Sequence, residues 1–396
     1  MFGIAATLAL VICVRGDGLV SHWSFDTLEN GITTEPVYGL DATVFGAQLN
    51  QGALHGGLYF DGTDDYASVA SMASVQQTIG SLNVGTISAW FRFDHIPAFA
   101  EVLDIFYFGD QNDYSAYGPA ADCYELEIGH FSSQSRLYWT HIKIDDAGDS
   151  HIPLCWSTSE NLGKERWYHI VSATSYSGTT VYLDDVEIYQ GSNLTWQFGD
   201  ETKRRFLGDV QRQEVLWFGK GLWNFEHQYF DGMIDEIKVW NRALTAVEVH
   251  EEYERAAGVG SLSIDSAIPQ EVAIANDGVV LWGTLDNIVN VQWQIDEGPW
   301  LGQPNTSLNP TWEVTLENSF SPGRHELKVR GRNAAGRSYA DTRVLIQADL
   351  NSDGNVNIHD LLNLIGAWGD CTCSEDLSGN GKVDVADVLI MISAWS

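Results

Sequence analysis

The sequence predicts a mainly β protein: a large β-sandwich, a smaller sandwich after it, and a short tail of two loop–helix units. Three observations carry that prediction. Short alternating runs recur between Gly, Asn and Asp turns from about Asp17 to Ala257, the period of half-buried strands. Fifteen Trp and 38 Gly against four Met is a composition of tight-turned β structure. The segment 349–396 repeats itself at a shift of 27 residues.

The first region, 17–258, contains runs such as Thr86-Ile87-Ser88-Ala89-Trp90-Phe91-Arg92-Phe93, Trp167-Tyr168-His169-Ile170-Val171 and Thr180-Val181-Tyr182-Leu183. Many short strands with almost no helical period read as a large sandwich. One helix is predicted, Ala246 to Ala257, with Thr245 as N-cap and Glu248 completing a capping box. Gly258-Val259-Gly260-Ser261 follows as a linker. The second region, 262–347, offers strands at Gly278–Gly283, Asn290–Ile295, Trp312–Leu316, His325–Arg330 and Arg343–Ile346. Its size and strand count fit a small Ig-like β-sandwich, without the Cys–Trp–Cys signature of antibody domains.

Residues 1–16 read as a signal peptide. Phe2 to Val14 is uncharged and mostly apolar, shorter than the ~20 residues a membrane span needs. Val14 and Gly16 are small residues ahead of a cut before Asp17, although no Lys or Arg precedes the run. Export to the extracellular space or cell surface is therefore expected. It leaves Cys123, Cys155, Cys371 and Cys373. A Cys123–Cys155 disulfide suits an exported protein, whereas a Cys371–Cys373 bridge spans one residue and is strained. Free thiols are equally open, and no Cys/His spacing resembles a zinc site.

Lys and Arg number 21 against 54 Asp and Glu, a formal net charge of −33. Nucleic-acid binding rests on basic patches, so that class is excluded as the main role. Divalent cations suit such a surface. The tail shows where they would go. Asp349, Gly354, Val356, Asp360, Leu362, Ile365, Ala367 and Trp368 return as Asp376, Gly381, Val383, Asp387, Leu389, Ile392, Ala394 and Trp395. Asp349, Asn351, Asp353 and Asp360 stand at positions 1, 3, 5 and 12 of an EF-hand-like loop; Asp376, Ser378, Asn380 and Asp387 do so in the second copy. Position 7 gives a backbone carbonyl, here from Asn355 and Lys382, and Gly at position 6 permits the sharp turn. One such loop reads equally as a solvated turn before a helix. Two in register point to Ca²⁺, with weaker binding in the less charged second copy.

This tail resembles a type I dockerin, in which paired calcium loops fold a module that docks onto a cohesin domain of a scaffold or cell-surface protein. The resemblance covers Asp349 to Ser396 and implies a cohesin-like or cell-surface protein partner. The family reads its partner at loop positions 10 and 11, often with a hydroxyl pair; here those positions hold Ile358-His359 and Val385-Ala386. Ala367-Trp368 and Ala394-Trp395 read as core or as docking surface, with core favoured because so small a module needs its large apolar groups inside.

Two segments of the first region carry another resemblance: Gly52 to Tyr66 (GALHGGLYFDGTDDY) and Phe230 to Thr245 (FDGMIDEIKVWNRALT), with Trp23-Ser24-Phe25-Asp26 near the start. Together they look like a laminin-G-like domain of the concanavalin A-like jelly-roll superfamily, covering roughly Asp17 to Ala257. That superfamily includes lectins, carbohydrate-binding modules and glucanases, so the fold leaves function open. It implies a structural Ca²⁺ where first and last strands meet, with Asp26 and Asp235 as candidates. Asp235-Glu236 also follows the closing pattern and reads as structure, and Asp64-Asp65 equally as a hairpin turn.

The glucanase branch carries a Glu-x-Asp-x-Glu strand, and the nearest matches, Glu125-Leu126-Glu127-Ile128-Gly129 and Asp184-Asp185-Val186-Glu187, do not complete it. Glu125 and Glu127 share a strand face, which in so acidic a chain reads as solvated. No nucleophile elbow or phosphate loop appears, and no catalytic residue is assigned. Binding is favoured: sugar rings stack on aromatic side chains, and Trp139, Trp156, Trp196, Trp217 and Trp223 are the supply, most of them expected in the core. The sequence thus predicts a secreted, modular, calcium-binding protein whose sandwich binds carbohydrate or another extracellular ligand and whose tail docks it to a partner. A cryptic polysaccharide hydrolase and a structural cell-envelope or adhesion protein are the alternatives.

Overall fold

The computed structural model describes residues 18–98, 101–111, 123–129, 136–144, 150–157, 162–191, 206–223, 226–258, 260–266, 268, 270–274, 279–304, 311–316 and 321–395, with backbone alone at 136–144, 150–157, 189–191, 223, 226, 274, 279, 303 and 304. The signal-like run and Trp196 lie outside these residues, as do the side chains of Trp139, Trp156 and Trp223. The chain divides into two compact units, one of 1–49 and 57–252, the other of 50–56 and 253–396. No described helix is long and apolar enough to cross a membrane.

The first unit is built on two eight-stranded sheets. One runs Val186–Gly191, Thr179–Leu183, Tyr168–Thr174, Gly85–Phe93, Asp231–Trp240, Gly56–Asp61, Gln48–Gln51, with Leu19–Trp23 also paired to Asp231–Trp240. The other runs Ser150–Ser157, Arg136–Ile144, Cys123–Gly129, Val102–Gly109, Val215–Phe218, Tyr66–Val69, Ala42–Phe45, Ile32–Thr33. Their inner faces share a core in which Trp23, Phe25, Phe60, Phe91, Phe106, Phe108, Tyr124 and Phe218 are fully or almost fully buried. Alternation along each strand sends every second side chain there.

Both sheets are also covered on their outer faces. Helix Ala246–Ala257 begins as expected: Glu248 Oε2 accepts the Thr245 amide at 2.8 Å. Its Val249 packs with Trp240, Val171, Tyr182 and Leu244 on the outside of the first sheet. Over the second sheet lies a hairpin of Lys220–Trp223 and Glu226–Tyr229, packed against Val102–Gly109.

In the second unit a three-stranded sheet (Ser261–Ile264, Val279–Asp286, Thr311–Leu316) and a five-stranded sheet (Glu271–Ile274, Ser338–Gln347, Gly323–Arg332, Asn290–Ile295, Leu301–Pro304) share a core of Leu262, Ile264, Leu281, Trp312, Val314, Leu327, Val329 and Leu345. Glu271–Ile274 pairs with Ser338–Gln347 in parallel; the other ladders are antiparallel.

The tail follows with helices Ile358–Gly366 and Val385–Ser393. Its core joins Val356, Leu364, Leu377, Val383, Met391 and Ala394 to Ile346 and Ala348 at the end of the preceding sandwich. Arg324 of that sandwich donates to the Leu377 carbonyl and to Glu271, both at 2.6 Å. Borrowing that surface relieves the tail of filling its own core. Trp368 and Trp395, expected inside, are 53% and 44% exposed. Ala394 is buried as expected.

Candidate functional site

The outer face of the second sheet gathers the chemistry. In the strand Cys123–Gly129, Tyr124, Leu126 and Ile128 point into the core, so Cys123, Glu125 and Glu127 share the other face. On the neighbouring strand Val102–Gly109 the ladder slips between Asp104 and Phe106, and Ile105 and Phe106 both enter the core. The extra residue brings Asp104 and Tyr107 onto one face, Asp104 directly opposite Glu127 and Tyr107 opposite Glu125. One oxygen each of Asp104, Glu125 and Glu127 lie within 4.8 Å of one another.

These carboxylates are not solvated, contrary to the expectation from composition. Asp104, Glu125 and Glu127 are 1%, 2% and 3% exposed, and the hairpin strand carrying Gly221 lies against Asp104. Gly221 is required there, since any side chain at that position would run into the Asp104 carboxyl. Burial pushes Glu127 up to about 8. Asp104 and Glu125 are also raised well above the usual carboxylate range, by burial first and then by the charge of Glu127. The Cys123 thiol donates to Glu125 and partly offsets the rise.

An aromatic strip continues along the same face. Phe45 and Tyr66 stack with centroids 4.6 Å apart, Tyr66 meets Trp217 edge-on at 6.4 Å, and Trp217 stacks on Tyr107 at 5.4 Å. From the hairpin, His227 stands edge-on to Trp217 at 5.7 Å, and Tyr229 follows it at 6.4 Å. Lys220 Nζ lies over the rings of Tyr66, Trp217 and Tyr229 at 4.2, 4.5 and 5.6 Å. Burial lowers its pKa. Trp217 is inside this cluster, while Phe45 is 44% exposed at the end of the strip. The alternation of Ala42–Phe45 and Tyr66–Val69 was the only signal for Phe45 and Tyr66, and their meeting depends on strand register.

The outer face of the first sheet is structural. Lys238 Nζ reaches Glu236 at 2.6 Å and Glu252 at 3.0 Å, and His22 Nε2 lies 3.1 Å from Glu236. Burial opposes the charge on Glu236, but Lys238 and His22 hold it down at about 2. Beside them the His169 ring stacks on Trp90 at 4.9 Å, and burial, then Lys238, lowers His169 to about 3. Asp235, a candidate calcium ligand, is fully buried, and its Oδ1 accepts the Glu236 amide at 2.7 Å. Asp26 is half-buried. Neither joins a cluster of three acidic, His or Cys ligands among the described residues.

The two tail loops have the same internal wiring. Asp349 accepts the amides of Asp353 (3.2 Å) and Gly354 (2.9 Å), as Asp376 accepts those of Asn380 (3.1 Å) and Gly381 (2.8 Å). Asp360 accepts the amides of Asn351 (3.1 Å) and Asn357 (2.8 Å), as Asp387 accepts those of Ser378 and Asp384, both at 2.7 Å. Gly354 and Gly381 take positive φ, 97° and 86°, as the turn requires. Asp360 and Asp387 are fully buried at their helix starts. The donors are all oxygen and the second loop reproduces the first, so this set fits a hard cation.

Of the cysteine pairs, Cys371 and Cys373 form a disulfide. Cys123 and Cys155 do not pair. Strand Arg136–Ile144 runs between theirs, with Thr140 opposite both Glu125 and Cys155. Two strand spacings amount to about 9–10 Å, beyond the ~7 Å limit between bridged Cα atoms.

Residues 61–250, just under half of the chain, match the family model of the concanavalin A-like lectin/glucanases superfamily. No curated protein matches. Among solved structures, domain 4 of AbnA, an extracellular arabinanase from Geobacillus stearothermophilus in complex with arabinotriose, aligns over 59% of this chain and 98% of its own, at 16% identity and TM-score 0.39. The Ruminococcus gnavus IT-sialidase CBM40 bound to alpha2,3 sialyllactose aligns over 50% and 95%, at 11% identity and TM-score 0.38. Trypanosoma rangeli sialidase aligns over 60% of this chain and 32% of its own, at 16% identity and TM-score 0.40.

Proposed function

We propose that this is a secreted glycan-binding protein, held in place by a calcium-loaded tail. The observation that carries the first half is the exposed end of the aromatic strip, where Phe45 stacks on Tyr66 with Tyr229 and Lys220 beside it. Sugar rings stack their apolar faces on such rings, and flanking polar groups fix the hydroxyls. A concanavalin A-like segment at 61–250 is consistent with this role. Hydrolysis is disfavoured, because Glu125 and Glu127 are 2% and 3% exposed, too buried for a polysaccharide to reach. In the test, the full chain is retained on a polysaccharide column and the double variant Phe45→Ala/Tyr66→Ala elutes at least tenfold more weakly, without release of sugars. Released oligosaccharides would establish the hydrolase instead.

For the tail, Asp349, Asn351, Asp353, Asp360 and the Asn355 carbonyl would hold one Ca²⁺. Asp376, Ser378, Asn380, Asp387 and the Lys382 carbonyl would hold the other. The bound ion would supply charge neutralisation and loop order. A cohesin-like or other cell-surface protein is the expected partner. Ile358, Leu362 and Ile365 are exposed along one helix with Trp368 just past its end, and Val385, Leu389, Ile392 and Trp395 repeat that pattern at the other. Limited proteolysis of the full chain is expected to trim the tail in chelator and spare it in excess Ca²⁺. Protection should be lost in Asp349→Ala/Asp376→Ala. Identical digestion with and without Ca²⁺ would remove the calcium argument.

A further inference from the structure

We propose that Asp104, Glu125 and Glu127 form a third divalent-cation site, of calcium type, buried on the outer face of the second sheet where the hairpin meets Asp104. The clustering of acids is only the start of the argument. Asp104 is 1% exposed, one of its oxygens lies within 4.8 Å of an oxygen of each glutamate, and neither of its oxygens accepts a hydrogen bond, nor do Glu125 Oε1 and Glu127 Oε2. A buried carboxylate oxygen without a donor is costly, and like charges directly opposite in a ladder repel. Asp104 and Glu127 face each other in that way.

Within the described residues the cluster has no side-chain cation. Among the described residues no Lys, Arg or His forms an ion pair with any of the three. Lys220 comes from the covering hairpin, and its ammonium group rests on aromatic rings. At Gly221, next in the chain, the hairpin presents bare backbone to Asp104.

The spacing suits one ion. Oxygens bind Ca²⁺ at about 2.4 Å, so two ligands on opposite sides of it stand about 4.8 Å apart. One oxygen from each of the three side chains falls within that span of the other two. Three hard carboxylates, with no imidazole in the cluster, select a hard cation over zinc or copper. The site is distinct from the tail loops and from Asp26 and Asp235. Its role would be to tie the strands Val102–Gly109 and Cys123–Gly129 together under the aromatic strip.

The test counts bound Ca²⁺ on the full chain by equilibrium dialysis at neutral pH, after refolding with the ion so that burial does not block entry. Asp104→Asn/Glu127→Gln, which keeps shape and removes charge, should bind one equivalent fewer than the wild type. Asp349→Ala/Asp376→Ala should retain one equivalent, and in that background Tb³⁺ should give emission sensitised by Tyr107 and Trp217. Should the first variant fail to fold, the second still decides. No retained equivalent and no Tb³⁺ emission there would overturn the proposal, leaving shared protons to neutralise the cluster. An unchanged count in a folded Asp104→Asn/Glu127→Gln chain would overturn it as well. Failure of the tail loops to bind leaves the difference of one intact, so the two readings are separable.

Discussion

Lys238→Met is expected to destabilise the large sandwich by about 3–5 kcal/mol, the usual cost of removing one partner from a buried ion pair. Lys238 is buried between Glu236 and Glu252, at 2.6 and 3.0 Å, and joins the helix Ala246–Ala257 to the sheet beneath it. Without the ammonium group, Glu236 keeps only His22 as partner, at 4% exposure. The pH dependence identifies the cause. In the wild type, the folded-state pKa of Glu236 lies near 2, below the ordinary value of 4.5, so its contribution is full above 4.5 and lost as pH falls toward 2. In the variant, protonating Glu236 removes an uncompensated charge, so the deficit narrows as pH falls. Urea unfolding at pH 7 and pH 4 reads both. A deficit below 1 kcal/mol, or one that widens in acid, would contradict the account.

Trp23→Ala should cost a similar amount, about 3–5 kcal/mol, by opening a cavity between the two sheets. The Trp23 side chain is fully buried, its ring 4.9 Å from that of Phe218, and its indole N–H donates to the Leu40 carbonyl at 2.7 Å. Trp23→Phe separates the two contributions. It keeps most of the packing and loses the hydrogen bond, for a loss of roughly 1–3 kcal/mol from the orphaned carbonyl. Equal losses in the two variants would mean that the hydrogen bond, not the cavity, dominates.

Local patterns were legible in the sequence, and contacts set by register were not. The capping box at Thr245 and Glu248 is a four-residue pattern, and it forms as expected. The tail loops are equally local, with positions 1, 5, 6 and 12 at fixed spacing, and both copies are wired as their spacing implies. Glu125 and Glu127 were legible as neighbours on one face. Their burial was not, because it depends on long-range packing, including a slipped ladder that brings Asp104 across from Glu127. Phe45, Tyr66 and Tyr229 were not legible for the same reason: only strand register brings them together. Core or docking surface stayed open for Trp368 and Trp395 because local spacing does not show whether the tail packs alone. Ile346 and Ala348 show that it does not.

The central claim is that the aromatic strip receives a glycan. The most direct measurement is isothermal titration of the full chain with the oligosaccharide of whichever polysaccharide retains it, beside the same titration of Phe45→Ala/Tyr66→Ala. The account predicts saturable binding by the wild type, at least a tenfold loss in the variant, and intact sugar recovered afterwards. Equal binding by both proteins would place the glycan elsewhere, and cleaved sugar would make the protein an enzyme.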